Sequence, residues 1–90
     1  MRPAKTNHHD AVAAALSALG WVLSEDARAQ RFLALTGFAP DDLRARIADP
    51  EVHDAVRLFL EGHQPDLIAC AEAIGVPPEL LLPEPRENWA

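Results

Sequence analysis

The segment Gly37-Phe38-Ala39-Pro40-Asp41-Asp42-Leu43 returns thirty-eight positions later as Gly75-Val76-Pro77-Pro78-Glu79-Leu80-Leu81. A glycine ends a helix by taking left-handed backbone, a proline fits the first turn of the next, and an acid after it meets the positive helix end. Asp49-Pro50-Glu51 and Pro65-Asp66 carry the same opening chemistry. Junctions of this kind confine the chain to short helices joined by tight turns. No alternating apolar run competes with them, so no strand is expected.

Between the junctions the apolar residues recur at helical spacing. Val12, Leu16, Leu19 and Leu23 mark the inward stripe of a first helix from about His9, and Gly20 within it suggests a close backbone neighbour. Ser24 is the expected N-cap of a second helix whose inner face is Ala29, Phe32, Leu33 and Thr36. A third, of about two and a half turns, starts at Pro40, with a Phe38–Leu43 staple and Ile47 extending its buried side. Val52, Val56, Phe59 and Leu60 line a fourth, and Leu67, Ile68, Ala71 and Ile74 a fifth. Leu80–Leu82 have room for a single turn before Pro83 and Pro85. The expected fold is all-α: a compact bundle of about five short helices plus a C-terminal helical turn. Residues 1–8 read as a flexible arm, 9–82 as one domain and 83–90 as a tail.

Aligning the two glycines sets Trp21 over Phe59, Val22 over Leu60 and Ser24 over Gly62. Two readings stay open. The chain is a duplicated helical hairpin, or cap and staple chemistry has converged on the same residue types at two independent junctions. The poor match of outer positions weighs toward convergence.

The formal charge of −6 opposes a phosphate-binding surface, since nonspecific nucleic-acid affinity comes from Lys and Arg. Most of the acids fall near helix starts, where a negative charge complements the positive end of the backbone dipole. One cysteine, Cys70, cannot form an internal disulfide, which fits a reducing compartment and a cytoplasmic address. The uncharged run Ala11–Leu23 is too short to span a bilayer, and Asp10 and Glu25-Asp26 at its ends argue against a secretory signal.

Arg31-Phe32-Leu33-Ala34-Leu35-Thr36-Gly37, continuing through Asp41-Asp42-Leu43-Arg44-Ala45-Arg46 and Asp49-Pro50, resembles a family of small, mainly alphaproteobacterial proteins catalogued as domain of unknown function 3572. The resemblance runs over about residues 10–82, taking in Trp21 and the closing Gly75-Val76-Pro77-Pro78. It implies a compact, all-helical intracellular bacterial protein. It brings no activity, cofactor or site residue.

Three function classes are left to weigh. The first is a protein-interaction module, binding another protein or itself through an apolar helix face, with Trp21, Val22 and Trp89 as candidate contacts. The second is a helix-turn-helix DNA binder, in which Arg44 and Arg46 would face phosphates while Asp41 and Asp42 oppose them. The third is an enzyme or metal protein using His53, His63 and Cys70. His8-His9 is the only adjacent pair of metal-ligand types, and zinc ligands come in close pairs from two segments. His53 and His63 read as surface residues and Cys70 as a small buried hydrophobe with a raised thiol pKa. The interaction module is the preferred class, with no catalytic residue, cofactor, membrane contact or small-molecule ligand inferred.

Overall fold

The computed structural model describes residues 8–83, and the expected contact Trp89 lies outside them. The order is α1 (His8–Leu23), α2 (Asp26–Thr36), α3 (Pro40–Ala45), α4 (Pro50–Glu61), α5 (Gln64–Ile74) and a closing 3-10 turn (Pro78–Leu81), with no strand among the described residues. Gly37 and Gly75 take left-handed φ values of 80° and 76°, and their amides donate to the Leu33 and Ala71 carbonyls. Asp49 caps α4 by accepting the Glu51 N–H at 2.9 Å. That bond, and then the Arg46 guanidinium, hold the Asp49 carboxyl below its usual range.

The thirty-eight-residue interval governs far more than the junctions. α1 and α4 end at Leu23 and Glu61, α2 and α5 run from Asp26 to Thr36 and from Gln64 to Ile74, and the short elements open at Pro40 and Pro78. Burial repeats as well: Ala14 and Val52, Ala18 and Val56, Val22 and Leu60, Phe32 and Cys70, and Leu43 and Leu81 are all in the core. The long and second helices pack crosswise, α1 against α5 and α4 against α2, while the short elements differ: the closing turn packs on α1, α5 and α4, and α3 makes no comparably extensive contact. Each half runs as long helix, second helix and short element. Cap chemistry accounts for the junctions, and the shared core positions carry the correspondence into the helices.

Several expected faces are corrected. α1 is the most heavily packed helix, meeting α2, α4, α5 and the closing turn. Its inward arc is Ala14, Ala15, Ala18, Leu19 and Val22, because small side chains admit several neighbours. Leu16 and Leu23, expected inside, are 36% and 37% exposed, and Ile47 and Ile68 likewise sit at the surface. Among the described residues outside its own helix backbone, nothing lies within 4 Å of where a Cβ on Gly20 would stand, so the expected close neighbour is not found there. α3 spans six residues, fewer than expected, since the chain must extend at Asp49 to cap α4.

Ser24 is not the cap of α2; Glu25 is. The Ser24 hydroxyl instead donates to the Trp21 carbonyl at 2.7 Å. Arg28 reaches back from α2 to donate to the Trp21 and Val22 carbonyls, at 2.6 and 3.3 Å, and its guanidinium lies 3.5 Å from the Trp21 ring centroid. These contacts satisfy the last carbonyls of α1, so this junction needs no glycine.

α4 buries half of its twelve residues, His53 and Arg57 among them. His53, expected at the surface, is 3% exposed, and its Nε2 lies 2.9 Å from the Ile47 carbonyl oxygen. Arg57 donates to the Ala11 carbonyl of α1 and to Asp54, both at 3.1 Å. In the repeat these two stand where α1 has the buried Ala15 and Leu19, positions that the packing encloses whatever residue occupies them.

Candidate functional site

An open groove of about 450 Å³ lies between the end of α2 and the outer side of α4. Its floor is Phe38, Ala55 and Phe59, and its walls are Leu35 and Leu58. Phe59 meets Phe32 edge-on at 5.3 Å between centroids, and Phe38 lies 6.4 Å from Phe32, so the floor is anchored in the core. Leu35 and Leu58, by contrast, are 71% and 58% exposed.

Polar groups in the groove are already committed. The Thr36 hydroxyl donates to the Phe32 carbonyl at 2.8 Å and accepts the Phe38 N–H at 3.3 Å. Glu51 pairs with Arg46, and Asp54 with Arg57. A small-molecule site needs convergent polar groups to orient its ligand. None is left over here, and what the groove offers is apolar surface with an acidic rim.

The residues considered for chemistry are held apart in separate roles. Cys70 is fully buried, and burial pushes its thiol up to about 11. His53 is committed to Ile47, while His63 is exposed, with Nδ1 3.1 Å from an Asp66 carboxylate oxygen. Among the described residues no three His, Cys, Asp or Glu gather as metal ligands. An aromatic thiol-disulfide reagent is expected to leave Cys70 unmodified in the native protein and to label it promptly in denaturant. Native labelling at the rate of a free thiol would place the sulfur at the surface. Folding favours the protonated thiol, so its contribution is full below about pH 9 and declines as pH rises toward about 11.

Of the residues proposed for partner contact, Val22 is fully buried and offers a partner nothing, because the close-packed arc of α1 includes it. Trp21 is half-buried beneath Arg28. Of those proposed for DNA, Arg44 pairs with Asp41, and Arg46 is held by Asp49 and Glu51 with its guanidinium 5.3 Å from the Phe38 ring. The six residues of α3 begin with two acids, and both arginines carry a carboxylate partner, so no basic face is assembled there.

The residues that form the groove, Leu35 and Leu58, were legible only as apolar residues off the expected stripes of α2 and α4. The repeat supplies a second signal. Their counterparts thirty-eight positions away are Ala73 and Gly20, both exposed.

The family model described as protein of unknown function (DUF3572) matches residues 8–84. The chain belongs to this family. No curated protein and no solved structure matches it. The DUF3572 match takes in both helical halves and the closing turn, so the groove lies within the family domain. No helix of this DUF3572 protein, among the described residues, is long and apolar enough to cross a membrane.

Proposed function

We propose that this protein is a non-catalytic binding module of the cytoplasm whose α2–α4 groove receives an amphipathic helix from another protein. The observation that carries this reading is the exposure of Leu35 and Leu58 in a fold that needs neither. The equivalent helix pair, α1 and α5, packs with Ala73 and Gly20 at the corresponding positions. Two leucines held in water around a phenylalanine floor have the form of a helix-in-groove site, where a few apolar anchors supply most of the affinity. A lone buried thiol fits a reducing compartment. A second copy is a poor occupant, since each chain brings a formal charge of −6.

A displayed library of amphipathic helical peptides, selected on the intact protein, tests the site. Selected peptides are expected to lose at least about tenfold in affinity against Leu58→Glu, and to shift the amide resonances of Leu35, Thr36, Phe38 and Ala55. Both leucines are exposed, so Leu58→Glu and Leu35→Glu should keep the helical circular dichroism and unfolding midpoint of the parent. Binders that ignore both substitutions and perturb another face would refute the groove.

A further inference from the structure

We infer that the helix received by the groove is basic, with apolar anchors on one side and Lys or Arg along its flanks; this rests on the groove reading above and adds the chemistry of the partner. The argument starts from the distribution of charge on α4. Its three acids, Glu51, Asp54 and Glu61, are exposed, and its only cation, Arg57, is 9% exposed, shared between the Ala11 carbonyl of α1 and Asp54. Glu61 stands three residues after Leu58 and Asp54 four before it, so the leucine is flanked by carboxylates along its own helix face.

The cations nearest the groove offset this only in part: Arg57 balances Asp54, and Glu61 is left uncompensated by the arginines near the groove. Arg46, near Phe38, is shared between Asp49 and Glu51, which leaves that cluster one negative charge in excess. Arg31, with its guanidinium 5.2 Å from the Phe59 ring, pairs with Asp66 at 2.6 Å. The surface that a partner meets is therefore two leucines bordered by net negative charge.

Comparison within the molecule separates this pattern from the needs of the fold. At the positions of α1 equivalent to Glu51, Asp54 and Glu61 stand Ala13, Leu16 and Leu23, all at the surface and none of them charged. The architecture accepts uncharged residues there. Acids and leucines depart from the repeat together, on the one face that forms the groove. Complementary charge around an apolar contact speeds encounter and excludes wrong partners, and acidic partners, a second copy included, are repelled.

The test reads the charge of peptides selected from a library in which the flanking positions are free to take Lys, Gln or Glu. Lys is expected to be enriched at the flanks. For a selected peptide, changing the flanking Lys to Gln should weaken binding about five- to tenfold and changing them to Glu should abolish it. Raising salt from about 0.05 M to about 0.5 M should weaken the Lys peptide and leave the Gln peptide nearly unchanged. On the protein side, Glu51→Gln, Asp54→Asn and Glu61→Gln combined should remove the preference for Lys over Gln, while Leu58→Glu removes binding by both. The peptide series leaves the protein unaltered, so it decides the matter even where the triple variant is unstable. Gln peptides selected as often as Lys peptides, yet lost with Leu58→Glu, would overturn the basic partner and leave the groove standing. Binding indifferent to Leu58 would overturn both. A dimer in sedimentation of the intact protein, dispersed by Leu58→Glu, would make a second copy the occupant and overturn the inference.

Discussion

Phe32→Ala is expected to cost about 3–5 kcal/mol and to leave much of the protein unfolded at room temperature. The ring is fully enclosed, set edge-on against Phe59 from α4 and close to Phe38 at the α2–α3 junction. Its removal opens a cavity where the two halves meet, and the loss adds transfer energy, cavity energy and the aromatic contact. A chain of this length holds roughly 0.05–0.15 kcal/mol per residue, so the substitution consumes a large part of the total. Many of the other enclosed side chains are alanine or valine, which leaves little to compensate. Urea titration followed by circular dichroism measures the loss, with Leu35→Ala on the same helix as the control. Leu35 is 71% exposed, and its truncation should change stability by no more than about 0.5 kcal/mol. A loss below about 1 kcal/mol for Phe32→Ala would mean that the halves are not joined through this ring.

The junctions were legible in the sequence because their chemistry is local. Gly37, Gly75 and Asp49 each act through their own backbone and one or two neighbours, and the structure shows them where the residues predict. Which side of a helix faces inward is a property of the assembly. The four leucine-spaced positions of α1 predict a narrow stripe, but a helix with four packing partners turns its alanines inward and leaves Leu16 and Leu23 at the surface. For the same reason His53 and Arg57 are buried against their type: burial is set by position on α4, and the Ile47 and Ala11 carbonyls supply the polar partners that make it tolerable. The Arg28 cap of α1 was hidden because it joins residues of two helices through a turn without glycine.

The candidate site was legible only in part. Leu35 and Leu58 lie outside the helical stripes that the sequence predicts, yet an isolated exposed leucine is ordinary on a protein surface and signals nothing alone. What gives them meaning is that folding brings them to the walls of one groove while the equivalent place in the other half has alanine and glycine. Trp21 and Val22 lie outside the Val12, Leu16, Leu19 and Leu23 stripe of α1, which is why the sequence offers them as contacts. Val22 proved to be core because α1 is packed over a wider arc than one stripe.

The second large effect is expected from the other end of the chain, where Leu81→Ala should cost about 2–5 kcal/mol although it alters a turn of only four residues. A single 3-10 turn has no stability of its own. It is held because Leu81 is fully buried while the turn packs on α1, α5 and α4. Val76, Leu80 and Leu82 pack against the same core, so releasing the anchor also strips their contacts. Leu43, thirty-eight positions earlier, is likewise buried, on the short helix α3, although α3 packs less extensively than the closing turn. Leu43→Ala should therefore fall in the same range, and Leu82→Ala, at a half-buried position, well below it. Hydrogen exchange adds a readout that equilibrium unfolding lacks. The amides of Gly75 and Val76, which both donate to the Ala71 carbonyl, should lose protection in Leu81→Ala before the centre of α1 does. If Leu81→Ala costs less than about 1 kcal/mol and protection at the α5 terminus is unchanged, the turn is an appendage and the second half has no lid.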